Sequence, residues 1–369
     1  MWFIFCKSIL YSPRNTFSIC LYLHPIFSRF CYAFHLECAI IWNVGFKTFL
    51  ASCQTYILMK GKEMKRQLAI YSLVLLIVVA MVGASELLNQ HEIIFPEITA
   101  IAVGAFMAPK MSWKTSRIRI LIFIMICALA GVGIVLFVPG PVWFRVTLAY
   151  GIAEVIYLLS GTSFAPMISA IALPVLLGTE SPVYLIAAFA LTVLILAFHM
   201  LLEKTNIKEP VDFTPVKVEK QGWIDAGTRL GVVLVTAFAA IRLGCRFMIA
   251  PPLLVAFTEF SKKESGARKI PLKVVAAIAL CALIGAGCRY LIVMEWNLPL
   301  TLAALVAAIG MILTLTGLKA FIPPAGALCI LPMLIPEEAV VFYPVQIFAG
   351  AALFMVLSLT IFKNKEASL

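Results

Sequence analysis

Charged residues are scarce in this chain. Asp, Glu, Lys and Arg together make up 13% of its 369 residues, whereas 63% are hydrophobic. The mean hydropathy of +1.04 is correspondingly high. A soluble globular protein of this composition would expose far more apolar surface than water tolerates. The composition therefore excludes an ordinary soluble domain and predicts a protein of the lipid bilayer.

The sequence also lacks the residue patterns of common enzymatic and metal-binding sites. Its ten cysteines include no Cys-x-x-Cys pair and no zinc spacing, and neither a nucleophile elbow nor a Walker loop occurs. The pair His91-Glu92 lacks the second histidine that a zinc-protease helix carries four residues after the first. We accordingly predict no metal, no cofactor and no enzymatic activity.

Long apolar runs are what the sequence has in abundance. They span roughly 17 to 22 residues and recur from Leu68 onward, matching the ~20 residues with which a helix crosses ~30 Å of hydrocarbon. Strand-like alternation does not recur, so the predicted fold class is all-α, a polytopic helical membrane protein. Two groups of six segments are predicted: 68–88, 93–109, 118–138, 145–160, 163–178 and 182–202, then 227–244, 247–260, 272–293, 298–316, 320–336 and 341–362.

A polar linker at 203–223 divides the membrane part into two predicted domains, 64–202 and 224–369. The first 63 residues differ from both, since they hold five of the ten cysteines and no clean apolar span or helical period. Because Met64–Arg66 gives a start with positive charge before an apolar run, we interpret 1–63 as an upstream extension outside the native protein. A targeting segment or an additional membrane-associated helix is the alternative.

Two patterns of the first domain return in the second. Cys127–Gly133 returns as Cys281–Gly287, and the proline-punctuated run Phe164–Pro174 returns as Ile322–Pro332. The offsets are about 154 to 158 positions, as expected of an internal duplication. The sequence therefore predicts two tandem six-segment repeats with short proline-broken helices. The paired glycines of the first pattern predict close helix packing, because the third glycine of a dinucleotide fingerprint is missing.

Basic residues gather at every second segment boundary. The clusters are Lys60, Lys62, Lys65 and Arg66; Lys110, Lys114, Arg117 and Arg119; Lys204, Lys208, Lys217 and Lys220; Lys262, Lys263, Arg268, Lys269 and Lys273; and Lys363 and Lys365. The positive-inside rule places these clusters and both termini in the cytoplasm and makes the repeats parallel. The charge forms no single patch, so no nucleic-acid partner is predicted. We expect a bacterial inner (cell) membrane, since the mature region shows no cleavable signal.

Two short segments leave another topology open. Segments 163–178 and 320–336 would each span only about 22–25 Å as a straight helix, and each contains internal proline. If both re-enter the membrane side from which they came, each copy crosses five times and the second copy is inverted.

The same proline-led segments carry the candidate site. Each is reached through a glycine that permits a sharp reversal, and proline suits the first turn of the helix that follows. Such a helix directs its N-terminal N–H groups and partial positive charge at the turn, which favours anion binding. The candidate substrate-binding residues are Gly161, Thr162, Ser163, Pro166, Gly317, Lys319, Pro323, Pro324 and Gly326. The alternative is that these prolines only kink membrane helices and the glycines only allow packing.

Ionisable residues inside apolar segments are a second group of candidates. They are costly in a membrane and need a partner, so each is a functional hypothesis. Glu154 and Arg289 are the predicted coupling or gating residues, and Glu97 and Glu259 occupy the second segment of each copy. Pairing of Glu154 with an arginine, or proton transfer by it, is expected.

The run Leu315–Leu328, preceded by Cys281–Gly287, resembles the HPP family of integral membrane proteins. That family is named for a His-Pro-Pro motif which typically continues into Ala-Gly-Ala, and Pro323, Pro324 and Gly326 match it, whereas Ile322 replaces the histidine. The resemblance covers about residues 250–362 best and about 96–202 more weakly. It implies a helical membrane protein, and members in plastids and cyanobacteria are associated with nitrite transport. A role that needs an imidazole is not carried over.

The predicted function is a membrane transporter or channel for a small solute, with a small inorganic anion such as nitrite as the expected substrate. The alternatives are a membrane-embedded enzyme acting on a lipid, and a membrane scaffold or sensor subunit. The expected partners are the lipid bilayer and a small-molecule or ion substrate, and the sequence is compatible with a homo-oligomer.

Overall fold

The computed structural model describes residues 63–209 and 213–362. The predicted extension at 1–63 lies outside these ranges apart from Glu63, and so does the basic cluster that begins at Lys363. Residues Gln67–Leu369 form one compact unit. Within the described ranges the regular structure is helical throughout, and the predicted all-α fold class is confirmed.

Twelve helices of more than one turn lie within residues 63–209 and 213–362, in the order of the predicted segments, and single-turn elements are left unlabelled. The helices are α1 (Glu63–Leu88), α2 (Glu97–Ala102), α3 (Arg117–Phe137), α4 (Val142–Leu159), α5 (Pro166–Leu177), α6 (Pro182–Lys204), α7 (Lys220–Arg242), α8 (Pro251–Ser261), α9 (Pro271–Cys288), α10 (Leu300–Leu318), α11 (Pro323–Ile330) and α12 (Tyr343–Ile361). A π-helical turn extends α2 to Met107, another extends α9 to Glu295, and a 3-10 turn extends α11 to Met333.

Eight of the described helices are long and apolar enough to cross a membrane, which fits an integral membrane protein. These are α1, α3, α4, α6, α7, α9, α10 and α12. The others, α2, α5, α8 and α11, are short. Each short helix starts at a proline, namely Pro96 at the N-cap of α2 and Pro166, Pro251 and Pro323 at the first helical position of the others. Proline has no N–H to continue the hydrogen-bond ladder backwards, so the helix begins there.

The predicted apolar segments 93–109 and 247–260 are not single continuous helices. A separate 3-10 turn, His91–Ile93 or Arg246–Ile249, comes first. The α-helix then begins at Glu97, directly after Pro96, or at Pro251. Both segments combine an irregular first part with a short helix.

Most of the basic clusters meet at one end of the helix bundle, here called the basic end. Arg117 at the start of α3 is ion-paired with Glu203 at the end of α6. The backbone N–H of Lys114 donates to Ser163 Oγ over 2.8 Å, and the Lys262 ammonium lies 3.5 Å from the Ser163 carbonyl oxygen. At the other end, here called the Glu86 end, the Glu86 carboxylate accepts hydrogen bonds from the backbone N–H groups that begin α10. These contacts fix which helix termini share an end.

Segment 163–178 joins the basic end to the Glu86 end. It starts at Ser163, which lies at the basic end, and leads to α6. The 23 residues of α6 extend about 34 Å and finish at the basic end with Glu203, so α6 starts at the opposite end. The first segment therefore crosses, and it does not re-enter as the alternative topology requires.

The short helices α5 and α11 are held by the same kinds of contact. A Cβ added at Gly131 of α3 would overlap the Ile171 carbonyl of α5, and one added at Gly285 of α9 would overlap the Cys329 carbonyl of α11. Both glycines thus allow the close packing predicted for them. A Cβ added at Gly133 or Gly287 would have no atom of a neighbouring helix within 4 Å. The close packing predicted for these two glycines is therefore wrong.

Each of the short helices α5 and α11 also accepts a hydrogen bond from a tyrosine near the start of the next main helix in the chain. Tyr184 of α6 donates to the Ala170 carbonyl in α5 over 2.7 Å, and Tyr343 of α12 donates to the Leu328 carbonyl in α11 over 2.8 Å. The order of helices and these contacts agree between the two halves. The duplication itself stays a prediction.

Candidate functional site

The four short helices meet around a small buried cavity. Helix α2 packs against α5 and α11, and α8 packs against the same two helices. The cavity has a volume of about 10 Å³, room for about one water molecule. Each helix contributes two residues from its first turns: Glu97 and Ala100, Pro166 and Ser169, Pro252 and Val255, and Pro324 and Ala327. The helices therefore direct their N-terminal ends at one another.

Proline at these helix starts shapes the electrostatics of the cavity. Helices α5, α8 and α11 are 12, 11 and 8 residues long, and each carries a partial positive charge at its N-terminal end. Helices α8 and α11 each begin with two prolines, Pro251-Pro252 and Pro323-Pro324. Each of these helices therefore lacks two of the backbone N–H donors that the start of a helix normally leaves unpaired. The helix dipoles thus favour an anion, while the number of available backbone donors is small.

Glu97 is the ionisable side chain in the cavity lining. It is 1% exposed, and its Oε1 accepts a hydrogen bond from Ser169 Oγ at 2.5 Å. Its Oε2 has no hydrogen-bond partner among the described residues. The carboxyl group of α2 is thereby anchored to α5 on one side and left with an unused oxygen on the other.

Two residues of the predicted substrate-binding site line the cavity, and a third lies next to it. Pro166 and Pro324 line the cavity, and Pro323 occupies the first position of α11, where it is buried. Gly326 lies one turn into α11 and packs against α2, since an added Cβ would come within 3.0 Å of the Thr99 carbonyl oxygen. Gly326 thus sets the approach of two helices and does not line the cavity.

Gly161, Thr162 and Ser163 lie in the loop before α5 and not in the cavity lining. Gly161 has a φ of +61°, the left-handed conformation expected of a glycine reversal. The Thr162 hydroxyl accepts from the Phe164 N–H at 3.3 Å, and Ser163 is bonded to the backbone of Lys114. Both hydroxyls accept hydrogen bonds that stabilise the loop, and their predicted role as donors to a substrate stays a prediction.

The glycine reversal predicted at Gly317 occurs at Lys319 instead, and the substrate-binding role of both residues stays a prediction. Gly317 belongs to the last turn of α10, and Lys319 instead adopts the left-handed φ of +52° that ends this helix. The Lys319 side chain is exposed. It lies outside the cavity lining, so it contributes at most to the charge around the loop.

Glu154 forms a buried ion pair with Arg229. The two guanidinium contacts, Nε to Oε1 at 2.9 Å and Nη2 to Oε2 at 2.6 Å, make the pair bidentate. Thr258 Oγ1 of α8 adds a hydrogen bond to Oε1 at 3.1 Å, and Ser261 Oγ accepts from Arg229 at 3.2 Å. The pair joins α4 of the first half to α7 of the second. Pairing of Glu154 with an arginine was expected, and Arg229 is the partner.

Arg289 donates to backbone oxygens beyond α11 through one guanidinium nitrogen, while its Nε is buried without a hydrogen-bond partner among the described residues. Its Nη1 donates to the carbonyls of Pro332 and Ile335, the second over 2.7 Å. Arginine here supplies donors to the end of a short helix whose carbonyls would otherwise be unpaired. Neither Glu154 nor Arg289 lines the cavity, so their predicted coupling or gating role stays a prediction.

A larger cavity of about 460 Å³ lies in the first half, between the extended α2, α3 and α6. Its charged lining residues are already engaged: Arg117 pairs with Glu203, and His199 Nδ1 is 3.2 Å from the same carboxylate. His199 also stacks on Phe106. Buried polar atoms without a hydrogen-bond partner among the described residues occur at both cavities, namely Arg117 Nε and Glu203 Oε1 at the larger and Glu97 Oε2 at the smaller. The smaller cavity is the stronger candidate, because the N-terminal ends of three helices converge on it.

Sequence reasoning missed the part played by α2 and α8 in the site. Glu97 was noted as a costly ion, but Ser169 was not, and Pro252 was not recognised as leading a short helix. The signal was available, since Pro96 and Pro251-Pro252 hold matching places in the second segment of each half.

No group of three or more His, Cys, Asp or Glu side chains within residues 63–209 and 213–362 could hold a metal ion. Comparison with known proteins adds no relative: no family model matches the chain, and no curated protein or solved structure is significantly similar to it.

Proposed function

We propose that the protein transports a small inorganic anion across the membrane, with the cavity between α2, α5, α8 and α11 as the substrate site. The observation that carries this proposal is the convergence of the N-terminal ends of α5, α8 and α11 on one buried cavity. Each end adds about half a positive charge, and a low-dielectric surrounding strengthens its attraction for an anion. Broken helices around a central site are a common construction in transporters.

The cavity volume adds a requirement to the proposal. Room for one water molecule is too little for an anion of several atoms, so the short helices must separate during transport. Nitrite is the first candidate because of the resemblance to the HPP family, which rests on Pro323, Pro324 and Gly326. Nitrate, chloride and formate test how far selectivity follows size and shape.

The experiment is anion flux into liposomes that contain the purified protein. We expect nitrite to enter faster than into protein-free liposomes. Ala327→Leu adds a side chain to the cavity lining and should reduce this flux at least tenfold. Ala239→Leu, at an exposed position of α7, is the matched control and should transport like the unmodified protein. Size-exclusion profiles establish that both variants are folded. Equal flux in Ala327→Leu and Ala239→Leu, or the absence of any specific anion flux, would contradict the proposal.

A further inference from the structure

Glu97 presents a chemical difficulty for an anion site. A carboxylate in the lining would repel the anion that the helix ends attract, yet Glu97 is 1% exposed and lines the cavity together with those ends. Its unused Oε2 has no partner within the described residues that would fix its charge. The inference below rests on the function proposed above and concerns the protonation of this group.

The surroundings of Glu97 offer no compensating cation within the described residues. Helix α5 contains no ionisable side chain, and α11 contains Cys329, whose thiol lies 3.4 Å from the Ala307 carbonyl oxygen. On α6, the Tyr184 hydroxyl donates to the Ala170 carbonyl of α5. His199, Glu203 and Lys204 lie at the far end of the same helix. Across the cavity, α8 carries Glu259 about two turns beyond Pro252, where it accepts a hydrogen bond from Trp113.

An isolated ionised carboxylate is costly in such a place, and the neutral acid is the cheaper form. The neutral acid also changes the chemistry of the cavity, because its O–H on Oε2 becomes a hydrogen-bond donor for an anion. The proton and the anion then favour each other's binding, and this mutual effect is reciprocal by thermodynamic necessity. Loss of the proton restores a negative charge beside the anion and favours its release.

We propose that Glu97 binds one proton for each monovalent anion, so that the protein moves a proton and an anion together with no net charge. The proton adds to Oε2 on the side from which the anion enters. It leaves as the anion leaves, and Glu97 returns to the carboxylate. Ser169 positions the carboxyl group by holding Oε1.

The test uses liposomes loaded with a pH-sensitive dye, with the membrane potential clamped by valinomycin and potassium. We expect nitrite uptake to accelerate at least fivefold with an inward proton gradient, to be indifferent to membrane potential, and to acidify the interior by about one proton per nitrite. Vesicles without protein, assayed at the same pH values, correct for diffusion of nitrous acid.

Glu97→Gln keeps a donor in the cavity but cannot release a proton. We expect the ratio of its nitrite uptake with and without the proton gradient to fall from at least fivefold to about one. Glu259→Gln is the matched control on α8, because its amide oxygen still accepts from Trp113, and it should keep the pH response. A gradient response in Glu97→Gln equal to that of the unmodified protein would overturn the proposal.

The outcomes separate the two proposals. Nitrite flux that is driven by membrane potential and leaves internal pH unchanged overturns the proton coupling and leaves anion transport standing. The absence of specific flux overturns both. If Glu97→Gln does not fold, Ser169→Ala replaces it. Loss of the hydroxyl donor should move the pH of half-maximal uptake upwards, since the ionised form loses a hydrogen bond, and an unmoved pH profile would overturn the proposal.

Discussion

The ion pair between Glu154 and Arg229 joins the two halves of the protein in a largely apolar interior. Both side chains are buried, and the bidentate geometry leaves neither charge without a partner. The desolvation of such a pair offsets most of its attraction, but the removal of one partner leaves a charge that neither water nor protein compensates. The structure therefore predicts a strong asymmetry between single and double replacements.

Arg229→Met should destabilise the protein by roughly 3–5 kcal/mol, because it leaves the Glu154 carboxylate buried without its cation. Glu154→Met should cause a similar loss of stability, because it leaves the Arg229 guanidinium buried without its anion. The double replacement should recover most of the stability that either single replacement loses. Thermal unfolding in detergent, followed by intrinsic fluorescence, measures all three. Arg242→Met, an exposed position on the same helix α7, is the control and should have little effect. Losses that simply add in the double variant would contradict direct pairing.

The sequence indicated the need for such a pair but not its members. A buried glutamate requires a partner, which marked Glu154. Arg229 lies 75 residues away on α7, and no local pattern connects the two. The same limit applies to Glu97 and Ser169, which are 72 residues apart. The site residues that sequence reasoning did place in the cavity, Pro166 and Pro324, are those whose effect on the backbone is local.

At the scale of helices, backbone contact determines how α5 and α11 are held. Gly131 and Gly285 sit against carbonyl groups of these helices, whereas Gly133 and Gly287 face open space. The pattern Gly-x-Gly predicted close packing for all four, because a single sequence cannot tell which face of a helix meets its neighbour. Proline was the more reliable signal for helix boundaries, since a residue without an N–H ends or starts a helix wherever it lies.

Gly285→Ala should therefore force α11 away from α9 and lower the melting temperature by several degrees, equivalent to about 1–3 kcal/mol of overpacking. Gly131→Ala should do the same between α3 and α5. Gly287→Ala and Gly133→Ala are matched controls on the same helices, and they should be neutral or slightly stabilising, since alanine favours helix over glycine. Melting curves of the four variants in one detergent provide the comparison. Similar losses at all four positions would show that the contacts at Gly131 and Gly285 are not specific.

At the scale of the whole molecule, the contacts show which residues share an end of the bundle but not which end faces the cytoplasm. The positive-inside rule places the basic end there. The orientation of the protein decides which end of the bundle takes up the proton and the anion when the gradient is directed into the cell. It also tests the parallel arrangement, since an inverted second half would put its loops on the opposite side from those of the first.

Exposed positions allow a direct measurement of orientation. Cysteine is introduced at Lys263 or Lys319 for the basic end and at Glu180 or Glu295 for the opposite end, all of which are exposed. In intact bacterial cells, a membrane-impermeant maleimide should label the variants at Glu180 and Glu295 several-fold more than the unsubstituted protein. The variants at Lys263 and Lys319 should be labelled only after permeabilisation. Because Glu180 belongs to the first half and Glu295 to the second, labelling of one and not the other in intact cells would refute the parallel arrangement. If only the variants at Lys263 and Lys319 were labelled in intact cells, the basic end would face outwards. The parallel arrangement of the two halves would still hold.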